Sequence, residues 1–232
     1  MEKFVKIYLI HNKEESRAKI MREEFQKANI NPDSVQWMLE PNRENITESI
    51  INKFVNMYPS DCNGITMLPS YMTLRKGMLS CVIKHYHALH DIVRNNIPYG
   101  VIIEDNIVFK CDLSKHIPMY IRQLNTMYPN WDIVFDGAWT KYIEGPVKEG
   151  IYVYPKSNEI TAQCHGGTKA ATFYIVTHKC AEKLYKHYLP VNNAPDWHMN
   201  MLFRKLNIKS FWIEPSFVEV QSGHVSTTSK PE

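Results

Sequence analysis

The sequence predicts a single α/β domain built on a mixed central sheet. Two observations lead there. The chain opens with a strand pattern, KFVKIYLIH at 3–11, which passes at once into a helical pattern over 12–30. A strand followed directly by a helix is the opening of an α/β unit. The same alternation then recurs down the chain in the order β-α-β-α-α-β-α-β-β-α-α-β. The 232 residues are 44% hydrophobic and 22% charged, the proportions of an ordinary soluble globular domain.

Each element rests on its own pattern. Over 12–30, Ala18, Ile20, Met21, Phe25 and Ala28 recur at three to four residues, as an amphipathic helix requires. Residues 31–45 carry two prolines and several asparagines and read as short strand and loop. A helix is expected over 46–57, and a loop over 58–72. The longest helical pattern is 73–96, with Leu79, Ile83, Tyr86, Leu89, His90 and Val93 near one face. IPYGVIIEDNIVF (97–109) reads as one strand. The next helix is expected to begin near Pro118, where proline suits a first turn. NWDIVFDG (130–137) is a short buried strand, and 138–169 is irregular apart from a strand near 150–154. AATFYIVTHKCAEKLYKHYL reads as strand then helix, with Thr177 as the cap. A helix at 195–207 and a final strand at 209–221 complete a domain of residues 1–221. Residues 222–232 form a polar tail.

Several classes are set aside by composition. The net charge is +3 and the basic residues are scattered, so nucleic acid is not an expected partner. No apolar run approaches the ~20 residues of a membrane span. The N-terminus lacks the apolar core and cleavage site of a signal peptide, which predicts a cytoplasmic protein. Cys62, Cys81, Cys111, Cys164 and Cys180 are widely spaced with no C-x-x-C. They read as reduced thiols rather than a disulfide framework or zinc module.

The unusual stretch is YGVIIEDNIVF, where Glu104, Asp105 and Asn106 interrupt a buried-looking strand. Desolvating a carboxylate is costly unless something compensates. Either a basic side chain pairs with these acids, or they face a cleft and hold a cation through oxygen ligands.

Three further stretches join it: GMLSCVIKHYHAL (77–89), NWDIVFDG (130–137), and the region from Gly166 through PDWHMN. Together they resemble the family 25 glycosyltransferases, which include lipooligosaccharide and collagen hydroxylysine galactosyltransferases. The matching positions are Gly77, Cys81, His85, Glu104, Asp105, Trp131, Asp132, Thr168, Ala171, Tyr174 and Asp196. Their order and approximate spacing hold over nearly the whole chain. The N-terminal signature survives as LIHNKEESR, with Ile10 and Arg17 as its matches. There are departures: Asn106 stands for a family aspartate, Ser80 for a small residue, and Lys84 for a serine.

The resemblance implies a glycosyltransferase A-type, Rossmann-like fold. It also implies a UDP-sugar donor carrying galactose or glucose, Mn²⁺ dependence, and inversion at the anomeric carbon. The acceptor would be a hydroxyl on a glycan or a hydroxylysine-type side chain, and an oligomer is compatible with this reading. Ile10, Arg17, His85, Glu104, Asp105 and Thr168 would bind the donor. Asp105, Asn106 and a late histidine, His224, would meet the metal. An inverting transfer needs a base for the acceptor hydroxyl. Asp196, at a helix start, is the first candidate and Asp136 the second. The alternative role for Asp196 is a first-turn acid favoured by the helix dipole, and for Asp136 a turn acid beside Gly137. Gly166, Gly167 and Thr168 would form a flexible turn near the cleft. Trp139 and Trp197 are candidates for acceptor contact. His85 and His87, two apart on a helix, do not share a face. Two other classes compete: a metal-dependent phosphohydrolase or nucleotidyltransferase, which would want a second acidic cluster, and a catalytically weakened sugar-nucleotide or glycan-binding domain, which Asn106 favours.

Overall fold

The computed structural model describes residues 4–55, 75–136, 150–153, 167–168 and 170–221, the segment 150–153 as backbone only. Its strands are β1 (Val5–Ile10), β2 (Gln36–Met38), β3 (Tyr99–Glu104), β4 (Ile107–Phe109), β5 (Ile133–Phe135), β6 (Gly150–Val153), β7 (Phe173–Thr177), β8 (Ser210–Glu214) and β9 (Val218–Val220). Its helices are α1 (Glu15–Lys27), α2 (Glu48–Phe54), α3 (Lys76–Arg94), α4 (Leu113–Met127), α5 (His178–His187) and α6 (Pro195–Leu206).

A seven-stranded sheet runs in the order β2-β1-β3-β7-β5-β8-β6. β2, β1 and β3 are parallel, β7 opposes both β3 and β5, and β8 is parallel to β5 while β6 opposes it. β2, β1, β3, β5 and β8 therefore point one way and β7 and β6 the other. This is the mixed α/β architecture that the element order predicts, and it is consistent with a glycosyltransferase A-type fold.

Alternation along the strands divides the core in two. Tyr8, Ile10, Ile102, Ile133, Phe135, Tyr174, Val176 and Trp212 face the layer formed by α2, α3, α5 and α6. Ile7, Leu9, Val101, Ile103, Val134, Phe173, Ile175, Phe211 and Ile213 face the layer of α1 and α4. Both faces are covered, so the central strands read as apolar runs rather than as half-polar ones. Gly100 belongs to the α3 face. A Cβ there would lie 2.2 Å from Ile92 Cδ1, so the missing side chain lets α3 settle onto β3.

Two expectations about boundaries need correcting. Helix α4 starts at Leu113, with Pro118 inside its second turn. Leu113 and Ile117 are both fully buried one turn apart, and their packing extends the helix in front of the proline. The strand expected over 97–109 breaks after Glu104, because Ile107–Phe109 leaves the sheet to pair antiparallel with Val218–Val220. The final strand is likewise two, separated at the cis Glu214–Pro215 bond. Thr177 caps α5 as expected, its hydroxyl accepting from the Cys180 N–H.

Candidate active site

The codirectional strands end at one edge of the sheet, and β7 begins there. This edge gathers His11, Glu104, Asp105, Asp136, Thr172 and Glu214, polar groups that are buried or half-buried. Ligands of open α/β sheets sit outside the carboxyl ends of the strands.

Period-two alternation sends the two neighbouring acids to opposite faces. Asp105 falls on the α1 side. One of its carboxylate oxygens accepts from Arg17 Nη1 at 3.0 Å. The other lies 2.7 Å from His11 Nδ1 and accepts from the Asn12 N–H at 3.3 Å. Burial acts to raise the Asp105 pKa, but the His11 contact, the Arg17 charge and the Asn12 N–H outweigh it and hold the carboxyl below its ordinary range. Both partners come from the end of β1 and the start of α1, the segment LIHNKEESR. The dilemma posed by the sequence is thus settled for Asp105: a basic side chain pairs with it.

Glu104 falls on the α3 side, in phase with Gly100 and Ile102. Its Oε1 lies 3.2 Å from His85 Nε2 and accepts from Cys81 Sγ at 3.7 Å. Cys81 and His85 are four apart on α3 and so lie one above the other. The ligand atoms of Cys81, His85 and Glu104 all lie within 4.8 Å of one another. His85 is wholly buried, and its Nδ1 lies 2.9 Å from the Tyr174 hydroxyl. Burial, then the nearby Glu104, push the Cys81 thiol pKa well up, Lys84 opposing them. Tyr188 is fully buried, and its hydroxyl has no hydrogen-bond partner among the described residues. Burial raises its pKa most, followed by the charges of Cys81, Asp196 and Glu104.

Lys84 lies between the two groups. Its ammonium donates to the His11 carbonyl at 2.8 Å, and burial lowers its pKa. The edge thus holds two buried cations, Arg17 and Lys84, beside its acids. His11, Asn12 and Lys84 were not singled out from the sequence as site residues. The available signal is position: His11 and Asn12 follow directly on the first strand, and Lys84 immediately precedes His85.

The remaining candidates are distributed as follows. Ile10 pairs in register with Glu104, and its side chain belongs to the core. Asn106 Oδ1 is buried with no hydrogen-bond partner among the described residues. Asp136, at the end of β5, accepts from Ser216 Oγ at 2.5 Å and from the Phe217 N–H at 3.0 Å, holding the turn after β8. Gly167 and Thr168 are anchored rather than loose. The Gly167 carbonyl accepts from Ser210 Oγ and Trp212 Nε1, and the Thr168 N–H donates to Asn200 Oδ1 on α6. Asp196 is half-buried in the first turn of α6, where its Oδ1 accepts from the Trp197 N–H. His87 turns away from His85 to meet the Glu40 carbonyl. Asp132 lies at the opposite edge, clasped by Lys183 and the Lys209 N–H. Cys81, Cys111 and Cys180 are free thiols. Cys62, Trp139, Cys164, Gly166 and His224 lie outside the described residues.

The donor set for a hard cation is uneven. Ions of the Mn²⁺ type take several oxygen ligands. Asp105 does not fit that role in this arrangement, because Arg17 and His11 already answer its charge. Asn106 fits it in part, offering one buried oxygen without a partner among the described residues.

A mixed sheet with buried charges converging at its carboxyl edge defines an α/β protein whose candidate site is that edge. The chain's sequence relationships give the particular family. Residues 4–199 match glycosyltransferase family 25, described as LPS biosynthesis protein. The chain belongs to that family. It is 22% identical over 192 residues to procollagen galactosyltransferase 1 of Danio rerio, covering 75% of this chain and 31% of that protein. It is 26% identical over 80 residues to a probable inactive glycosyltransferase 25 family member 3 of Rattus norvegicus, covering 32% of this chain and 14% of that one. Its counterpart in Mus musculus, named inactive, is 22% identical over 107 residues, 44% of this chain and 18% of that protein. The chain thus spans less than a third of the length of these curated relatives. The solved structure of A197 from STIV aligns over 95% of both chains with a TM-score of 0.44 and 11% identity, a likeness too slight to carry an argument. No helix among the described residues is long and apolar enough to cross a membrane.

Proposed function

We propose that this chain transfers a hexose, galactose or glucose, from a UDP-sugar to a hydroxyl on a glycan or a hydroxylysine-type side chain, with inversion at the anomeric carbon. The observation that carries the reading is the convergence of Arg17, Lys84, Glu104 and Asp105 at the carboxyl edge. Buried cations there suit a diphosphate, and strand-end acids suit a ribose or sugar hydroxyl. Family membership and the likeness to a galactosyltransferase support it. Asp196 is the base for the acceptor hydroxyl, and its half-buried place in the first turn of α6 supports that role. Asp136, engaged with Ser216 and Phe217, is the second candidate. Ile10, His85 and Thr168 shape the donor side through the β1 end, α3 and the approach to β7. A divalent ion of the Mn²⁺ type would accompany the diphosphate and offset its charge. The residues that would meet it are Asn106, through its side-chain oxygen, and His224.

The test is calorimetric titration of UDP with and without Mn²⁺, followed by a transfer assay. Asp196→Ala should keep UDP binding within about 2-fold and lower turnover by 10²-fold or more, the range of general-base catalysis. Unimpaired turnover removes Asp196 from the mechanism. A second reading has a specific observation behind it. The engaged Asp105 and the amide at position 106 favour a catalytically weakened binding domain, for which UDP would bind without turnover.

A further inference from the structure

The geometry points to a transition-metal site of the Zn²⁺ class on the α3 face of the edge, formed by Cys81, His85 and Glu104. It shares His85 and Glu104 with the donor side proposed above but does not rest on that reading, since it concerns what the chain binds rather than what it turns over.

Three facts support the assignment. The first is the donor set. One sulfur, one imidazole nitrogen and one carboxylate oxygen converge, the mixture that zinc accepts and that Mn²⁺ or Mg²⁺ does not prefer. The second is spacing. Zinc bond lengths of about 2.0–2.3 Å at tetrahedral angles place ligand atoms about 3.3–3.6 Å apart. Here the Glu104–His85 and Glu104–Cys81 separations are 3.2 and 3.7 Å, and all three atoms lie within 4.8 Å of one another. The third is the surrounding shell. The Tyr174 hydroxyl holds His85 Nδ1, leaving Nε2 turned toward the cluster, as partners of metal-bound histidines do. Three protein ligands leave one position open, and the Glu104 side chain, 20% exposed, marks where the site meets the cleft. On coordination the Cys81 proton is released to solvent and the thiolate binds the ion.

Cobalt(II) reports such a site directly, because a bound thiolate gives a near-ultraviolet charge-transfer band and four-coordinate geometry gives strong visible bands. The chain is stripped with chelator, titrated with Co²⁺ alone, and then back-titrated with Zn²⁺. We expect one equivalent of Co²⁺ with a charge-transfer band that Zn²⁺ abolishes. Cys81→Ser should lose the band, whereas Cys111→Ser should keep it. Tyr174→Phe should keep it with affinity lowered about 10–100-fold. Absence of the band from the wild-type chain, which requires no variant to fold, overturns the site. Its survival in Cys81→Ser does so equally, by placing the ion on another thiol. Because no nucleotide or sugar is present, failure here leaves the transferase proposal untouched, and failure of UDP binding leaves this one untouched.

Discussion

Asp105 shows how one residue serves two ends of the chain. Its carboxylate closes a contact with Arg17 across 88 residues of sequence and with His11 across 94. Removing one member of a buried pair strands the others, at a cost of about 3–5 kcal/mol. Asp105→Asn should therefore lower stability by that amount, read from the urea midpoint at an unchanged m-value. The sequence made the dilemma at 104–106 visible, and alternation alone places Glu104 and Asp105 on opposite faces. It could not say which helix covers which face, because that depends on where the chain crosses the sheet. Cys81 and His85 are legible as a pair from their spacing, but Glu104 joins them only once α3 lies against β3. Asp136 read as a turn acid or a base from sequence. The turn it holds is formed by Ser216 and Phe217, residues that seemed to lie within a continuous strand.

Among the elements, the packing of α3 on β3 matters most to the site, since it sets Cys81 and His85 over Glu104. The close approach depends on Gly100. Gly100→Ala would drive a methyl into Ile92, whose Cδ1 would be only 2.2 Å away. Overpacking of this kind costs about 1–3 kcal/mol. Adding Ile92→Val removes the clashing carbon, so the double variant should recover part of the loss in thermal midpoint. Equal destabilisation of single and double variants would show that the contact is not what Gly100 serves. Periodicity gave α1, α3, α5 and α6 clearly. It misplaced the start of α4, because Pro118 looked like a beginning while Leu113 and Ile117 had tertiary reasons to be helical. The break after Glu104 was hidden by the apolar run Ile107–Phe109, which keeps its strand character but changes partner to β9.

For the molecule as a whole, pH provides a test of how the α6 layer is packed. His198 bridges the carbonyl of Tyr188 and the side chain of Asn192. Burial lowers its pKa from 6.5 to about 4, with the Tyr188 contact opposing the shift. Between those values the unfolded chain carries the proton and the folded one does not. The stability that neutral His198 confers is thus complete above pH 6.5 and lost as pH falls toward about 4. Its slope approaches about 1.4 kcal/mol per pH unit. His198→Gln should flatten the pH dependence of urea stability in this window, and an unchanged slope would exclude His198 as its source. Asp105, with its lowered pKa, acts at more acidic pH: its contribution is present above the ordinary carboxylate value of 3.8 and lost below it.

The central position of β7 bears on the order in which the protein is made. β7 joins the β2-β1-β3 half of the sheet to the β5-β8-β6 half, yet it is encoded at Phe173–Thr177. During synthesis β3 and β5 leave the ribosome well before the strand that separates them. Until it arrives, each presents an apolar edge, able to pair wrongly with the other or with a neighbouring chain. The site shares that timing. Tyr174 travels on β7, so the support for His85 is absent until the two halves join, and no partly synthesised chain ending before β7 can hold the edge in its working form.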